Sequence, residues 1–402
     1  MKRSILIFGA GINQLTLIEA ANELGVISVV IDPNPEAPGQ KTTDYFYCVS
    51  GDDYEGTKKI AIKHNVNGIV TGQMERPLRL MARLAAELGF IFHSPEVVEK
   101  SLNKHLMKQA FIQNDVPCAR GKLLRQDDSI TSDSLKTFEF PLILKPKDAF
   151  SSRGVYKIES LKDIKKYVRE TRSFSSNGDI LIEEFLEGPE YSIESITYKG
   201  ETIIVQYTEK FITPFPYTVE MGHLQPAELN IKERKQIELV VKKAIKAIGI
   251  NNSASHCEVK LTKNGAKVLE IGARLGGDFI ASYLTLASTG VNMDKAAVQV
   301  ALGEKPDLKH KYKKFSYIKY IELEAGKRIV EVKDWSDILN DPNIVFANVF
   351  VKPGETIPRI TDSAKRPACV LVQGNSKKQV FEIAERKAEM LKSRIILKGN
   401  YD

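Results

Sequence analysis

Between about Lys232 and Ile248 the apolar residues Ile237, Val240, Val241, Ala244, Ile245 and Ile248 recur every three or four positions. That is the period of a helix with one buried stripe, and Gly249 marks its end. Near the start, short apolar runs alternate with helical stripes. Ser4–Phe8, Ser28–Asp32 and Gly68–Thr71 read as strands, and Gln14–Leu24, Asp53–His64 and Arg76–Leu88 read as helices. This βαβ order predicts an open parallel sheet over residues 1–98. Residues 99–310 mix hairpins with helices. Residues 311–402 hold strands around Tyr317–Glu322 and Ala368–Val372, then a helix capped by Ser376 and running to about Lys392. The pattern predicts an α/β chain in three closely packed parts, without internal repeats or low-complexity linkers.

The most informative alternation runs from His256 to Arg274. Two strand-like runs flank Lys263-Asn264-Gly265, which reads as a hairpin turn. A two-residue turn would set Glu258 opposite Ile271 and Val259 opposite Glu270, mixing charged and apolar residues on each face. A three-residue loop, with Gly265 left-handed, sets Glu258 opposite Glu270, Cys257 opposite Ile271 and Val259 opposite Leu269. Only that register gives one apolar face and one carrying two carboxylates, so it is the one expected. Directly opposed like charges repel in a sheet. Glu258 and Glu270 therefore call for a cation between them, and their hard oxygens suit Mg²⁺, or Mn²⁺ in its place, with substrate phosphates completing the shell.

A length of 402 residues allows two or three domains with substantial cores. The composition, 43% hydrophobic and 27% charged, is that of a globular protein. No apolar run approaches the roughly 18 residues of a membrane span. Met1-Lys2-Arg3 and the apolar residues after it resemble a signal peptide, but the stretch is short and glycines interrupt it where a strand would turn. Four scattered cysteines (Cys48, Cys118, Cys257, Cys369), with no Cys-x-x-Cys pair, argue against a disulfide framework or a zinc site and fit a reducing cytoplasm. The net charge of +7 is modest. The lysines clustered over 232–246 and 377–392 read as solvated helix faces, some of the charge serving anionic nucleotides. Neither a nucleic-acid nor a membrane partner is expected.

Gly9-Ala10-Gly11-Ile12-Asn13-Gln14 follows a strand and opens a helix, and Asp32 closes the next strand about 20 residues on, as in a dinucleotide fingerprint. An NAD-dependent dehydrogenase is thus one reading. Against it, Gln14 stands where a third glycine belongs, and a βαβ turn needs glycines for geometry alone. Glu75 lies at a strand's C-terminal end, where open α/β sheets bind ligands, and is a candidate substrate contact.

A second constellation lies downstream. Phe140-Pro141-Leu142-Ile143-Leu144-Lys145-Pro146 is a buried-looking strand ending in a lysine. Lys147 to Val155 follows as a loop of small residues whose backbone N–H groups can cradle phosphates, with Lys145 adding a point charge. Ile180 to Glu184 is a strand, Gly188-Pro189 a break, and Glu190 opens another alternating strand. Carboxylates there can accept hydrogen bonds from an amino group and from ribose hydroxyls.

In this order the motifs resemble the ATP-grasp superfamily of carboxylate–amine ligases, most closely the L-amino-acid ligase and carbamoyl-phosphate-synthase-like branch. The likeness covers nearly the whole chain. It implies an ATP-grasp fold with a Rossmann-like pre-ATP-grasp domain at 1–98, an ATP-grasp domain at 99–310 with a small lid at about 116–189, and a C-terminal α+β segment at 311–402 packing on the grasp core. It implies that Lys104 and Lys145 contact nucleotide phosphates, that Ser151, Ser152, Arg153 and Gly154 form the phosphate flap, and that Glu183, Glu184, Phe185 and Leu186 form the adenine hinge. Glu190 would hold the ribose, Glu258 and Glu270 the Mg²⁺, and Arg274 the transferring phosphoryl group. Gly272 stands where many relatives carry an asparagine as a third metal ligand. Glu220, His223 and His256 become candidate substrate or phosphate contacts, and Arg274 with the backbone of Gly276 and Gly277 a candidate oxyanion site. The activity implied is ADP-forming ligation of a small carboxylate, such as an amino acid, to an amine through an acyl phosphate, and the resemblance allows a homodimer. A purine-biosynthesis enzyme of the same fold (phosphoribosylglycinamide synthetase- or formyltransferase-like) is an alternative, with Glu75 and Arg366 serving a ribosyl phosphate.

Overall fold

The computed structural model describes residues 2–131 and 133–398. Its N-terminal sheet is parallel, in the order Tyr45–Cys48, Ile27–Asp32, Ser4–Phe8, Gly68–Thr71. Ser4–Phe8 is buried along its whole length, so both faces need cover. Helices Tyr54–Lys63 and Leu78–Leu88 cover one face. Helix Leu15–Glu23 covers the other together with Met293–Ala301, a helix from far along the chain. That shared core joins the N-terminal sheet to the rest of the molecule. The Tyr45–Cys48 strand was not expected, because it is short and half-exposed and lacks a buried apolar face. The residues read as one helix over Gln14–Leu24 divide into a 3₁₀ turn, Ile12–Gln14, and the helix proper from Leu15.

The central sheet has eight antiparallel strands, in the order Gly265–Gly272, Ser253–Thr262, Glu190–Tyr198, Glu201–Ile212, Glu220–Gln225, Phe315–Ile321, Ala368–Gly374, Ile344–Val349. Strands of the C-terminal segment are thus hydrogen-bonded directly into it. At the hairpin end, Tyr191, Ile193, Cys257, Val259, Val268 and Ile271 pack on helix Ile231–Ile248. Its apolar stripe is the one read from the sequence. Asn230 and Glu233 close a capping box at its start, and Gly249 ends it in the left-handed conformation. Helix Lys377–Ser393, capped by Ser376, covers the same sheet further along.

A smaller antiparallel sheet, in the order Gly121–Leu124, Ile180–Glu184, Leu142–Pro146, Tyr156–Ile158, has its own core with helix Leu161–Ser173. It leans over the polar face of the central sheet. Among the described residues no helix is long and apolar enough to cross a membrane.

Ile237 is fully buried where helix Ile231–Ile248 meets the hairpin. Truncating it leaves a cavity that the β-sheet cannot collapse to fill. Ile237→Ala is expected to lower the unfolding free energy by about 2–5 kcal/mol, read as a shifted midpoint in urea denaturation with an unchanged slope.

Candidate active site

The strands that pack apolar residues on helix Ile231–Ile248 turn their alternate residues the other way. Glu190, Ser192, Glu194, Lys210, His223, His256, Glu258 and Glu270 all line one cleft of about 350 Å³, or lie just beneath it, under the smaller sheet. A period of two places a charged floor directly behind an apolar core.

Glu258 does stand opposite Glu270, and Cys257 opposite Ile271, as the alternation required. The route differs from the expected three-residue loop. Thr262 pairs with Gly265 across a two-residue turn, and a β-bulge at Leu269 shifts the register, so Val259 faces Val268 instead of Leu269. The extra residue restores the segregation of faces that a two-residue turn alone would have scrambled. The bulge also turns Leu269 into the cleft.

Each of the two carboxylates has a cationic neighbour. Lys104 Nζ lies 3.1 Å from Glu270 and donates to the Ala149 carbonyl at 2.7 Å. Lys210 Nζ lies 2.8 Å from Glu258, 2.6 Å from Glu190 and 3.3 Å from Glu220, with its side chain almost wholly buried. Burial alone would raise the Glu258 carboxyl, but Lys210 and the neighbouring His256 hold it well below the usual carboxylate range. His256 Nδ1 is 2.5 Å from the buried Glu194. Burial would lower this imidazole, yet Glu194 and Glu258 outweigh it and push it up to about 9, so it is a cation at neutral pH. His256 is therefore engaged by the floor's own carboxylates. Gly276 presses against this pair, since a Cβ there would lie 2.4 Å from Glu194 and 2.8 Å from His256 Nδ1.

The facing carboxylates supply ionised oxygens of the kind a hard divalent cation takes. Among the described residues no group of three or more His, Cys, Asp or Glu could hold a metal without other ligands. Gly272 adds no donor, and a side chain there would extend against Arg274. The donor set thus fits Mg²⁺ held jointly by Glu258, Glu270 and the oxygens of a polyphosphate.

Lys145 and Glu183 are both buried and pair at 2.8 Å. A second lysine, Lys108, reaches the other oxygen of Glu183 at 3.1 Å and the Ala119 carbonyl at 2.6 Å. Burial would raise Glu183, but the two lysines hold it below its ordinary value. Glu184 points the other way, to Arg120 and Lys267. Phe185 and Phe215 meet edge to face at 5.6 Å, with Lys157 Nζ within 5 Å of both rings, forming an aromatic wall of the cleft. Ser151 and Ser152 both take positive φ at the tip of the 147–155 loop. Gly154 does so too, where a Cβ would strike Phe174. Leu186 and Arg153 line the same cleft.

At the other end Glu75, from the loop after Gly68–Thr71, accepts from Arg274 Nε at 2.7 Å and from its Nη2, while Nη1 donates to the Leu275 carbonyl. His223 Nε2 lies 3.0 Å from Asp278. Arg366 donates to both Asp278 oxygens at 2.8 and 2.5 Å, and to the Glu220 and Ser363 carbonyls, both at 2.8 Å. Its guanidinium stacks on Tyr320. Arg366 and His223 hold Asp278 well below the usual range against the effect of burial. The structure thus gathers Lys104, Lys145, Glu183, Glu190, Glu258, Glu270, Arg274, Glu75, Glu220, His223, His256 and Gly277 around one cleft. Sequence reasoning missed Lys210, Lys108, Glu194 and Asp278. Their partners lie on distant segments, and each looks locally like an ordinary charged residue.

The glycine-rich N-terminal loop is filled by the chain itself. Asp32 accepts from Ala10 N–H and Asn34 N–H, both at 2.8 Å, which leaves its carboxylate committed to holding the loop. Gln14 is buried against Gly9 and Gly11, and Met74 lies where a Cβ on Gly9 would collide. Asp32 and Gln14 are thus engaged by the loop itself, as the geometry of a βαβ turn requires.

Residues 138–282 match the family model of the ATP-grasp domain, and residues 322–395 match the L-amino acid ligase C-terminal domain 2. The chain is 25% identical over 316 residues to a carbamoyl-phosphate synthase from Methanobrevibacter smithii, covering 76% of this chain and 82% of that protein. It is 28% identical over 243 residues to alanine–anticapsin ligase from Bacillus subtilis, covering 54% of this chain and 50% of that protein. In fold it is similar to an L-amino acid ligase from Bacillus licheniformis, with a TM-score of 0.83, 20% identity and 99% of both chains covered. It is also similar to phosphoribosylglycinamide synthetase from Anaerococcus prevotii, with a TM-score of 0.75, 22% identity and both chains covered in full. The chain thus carries an ATP-grasp domain followed by an L-amino acid ligase C-terminal domain, in the fold that L-amino acid ligases share with phosphoribosylglycinamide synthetase.

Proposed function

We propose that this ligase activates the carboxylate of an amino acid with ATP and joins it to an amine, forming an amide or peptide bond. The observation that carries the reading is the pair of facing carboxylates, Glu258 and Glu270, with Lys104, Lys210 and Arg274 in the same cleft. Phosphoryl transfer needs little covalent chemistry from a protein, and its main demands are positioning and charge neutralisation. Lys104 and Lys145 offset the triphosphate, the 151–154 loop covers it, and the 183–186 segment with Phe185 and Phe215 receives the base. Glu190 lies at the ribose end. Bound at Glu258 and Glu270, Mg²⁺ would supply neutralisation of the triphosphate oxygens. Arg274 offsets charge on the transferring phosphoryl group. The smaller sheet excludes water that would hydrolyse an acyl phosphate.

The substrate class follows from the Glu75–Arg274 pair, which sets an anion beside a cation at one end of the cleft. That is the complement of a zwitterion, whose ammonium and carboxylate can each replace one member of the pair. A ribosyl phosphate would need a cation with donors to spare. Arg366, the candidate for that role, already donates to Asp278, Glu220 and Ser363 and stacks on Tyr320. The geometry therefore favours the amino acid over the purine-type substrate.

Phosphate release with Mg-ATP, measured across pairs of amino acids and beside ribosylamine-type substrates, tests the assignment. Release that requires an acid and an amine together is the expected result, and release with the ribosylamine substrates alone overturns it. Glu270→Gln is expected to reduce Mg-ATP turnover to background while circular dichroism and the melting temperature stay those of a folded protein. Lys210→Met leaves Glu190, Glu220 and Glu258 without their shared cation. It is expected to lose about 3–5 kcal/mol of stability in urea denaturation, and added Mn²⁺ should restore part of it in the variant more than in the parent.

A further inference from the structure

His223 is 1% exposed, on the strand beside Lys210, and its ring lines the cleft. Asp278, held ionised, can only accept, so the Nε2–H donates to it at 3.0 Å. In the neutral ring Nδ1 is then the lone-pair nitrogen, and that atom is buried with no hydrogen-bond partner. A buried acceptor without a donor is costly, and in a native site it calls for an explanation. Asp278 itself takes a left-handed φ of 54° and is clamped on both oxygens by Arg366 from the C-terminal segment. A carboxylate locked by an arginine, orienting an imidazole whose other nitrogen is unpaired beside a substrate cleft, has the geometry of a base and its orienter.

We propose that His223, oriented by Asp278, is the general base for the amine half of the reaction, with Arg366 as a positioning residue. The inference rests on the ligase reading. The incoming ammonium gives one proton to His223 Nδ1, and the freed amine attacks the acyl phosphate carbonyl as the C–N bond forms. The tetrahedral adduct then collapses, breaking the C–O bond to phosphate. The second nitrogen proton leaves with the departing phosphate, giving the amide and hydrogen phosphate. The proton on His223 passes to solvent.

The test separates the two half-reactions. Hydroxylamine is uncharged at neutral pH and needs no base, so it traps the acyl phosphate directly as a hydroxamate. Proteinogenic amino acids serve one at a time as the carboxylate with Mg-ATP, and each is then paired with a second amino acid as amine. His223→Gln is expected to hold hydroxamate formation within about threefold of the parent while amide formation falls about 100-fold or more. Asp278→Asn and Arg366→Lys should show the same split, more weakly for the latter. An equal fall in both products, or in neither, overturns the proposal. A parent enzyme that forms neither hydroxamate nor amide with any acid refutes the ligase reading instead, so the two failures are distinguishable.

Discussion

Charge compensation on the inner face of the central sheet is the constraint on which the site depends. Glu190, Glu194, Glu220, Glu258 and Glu270 sit close together on strands of one sheet, and like charges across a ladder repel. The fold answers with cations from several directions. Lys210 comes from within the sheet, His256 from the same strand as Glu258, and Lys104 from the first turn of helix Lys104–Gln113. A removed partner leaves a buried charge uncompensated, so these groups stabilise the fold only as a set. The same arrangement leaves the Glu258 and Glu270 carboxylates side by side on the cleft floor.

How much of this was legible in the sequence depends on how local each signal is. The helix Ile231–Ile248 was readable because its stripe and terminal glycine lie close together in the chain. The Glu258–Glu270 pairing was readable for a related reason, since only one register segregates apolar from charged residues. The means was not readable. A two-residue turn with a bulge and a three-residue loop yield the same pairing near the carboxylates, and composition does not distinguish them. Lys210 was invisible because its meaning comes from Glu190, Glu220 and Glu258, which converge on it only after four strands have paired. Asp278 was invisible because Arg366 reaches it from nearly ninety residues away. The glycine-rich loop shows a legible local motif that Gln14 already argued against in the sequence, and in the fold Gln14 and Met74 pack against its glycines.

The parts outside the central sheet each contribute by one or two side chains. Glu75 is delivered by the C-terminal edge of the N-terminal sheet, where open parallel sheets place their ligands. Arg366 follows a short 3₁₀ turn, Ser363–Lys365, and enters the site just before the Ala368–Gly374 strand. Both are anchored by large apolar contacts elsewhere, the first through helix Met293–Ala301 and the second through strands of the central sheet itself. The cores fix the elements, and the elements bring single charges to within hydrogen-bond distance of one another. This explains why so distributed a chain converges on one cleft.

The junction between the smaller sheet and the floor follows the same logic. The chain crosses it at Gly188, whose φ of 136° and close approach to the Leu261 carbonyl, 2.2 Å from where a Cβ would sit, exclude any other residue without displacement of backbone. Lys260 bonds the Gly188 carbonyl from the floor, and Lys267 bonds Glu184 from the hairpin. The aromatic wall of Phe185 and Phe215 is built across this junction, one ring from each side. A displacement of the smaller sheet would therefore separate the rings and stretch ties to the same hairpin that carries Glu258 and Glu270. The 183–186 segment and the two facing carboxylates are thus tied through one strand pair, so that the cleft wall and its floor are held by the same hairpin.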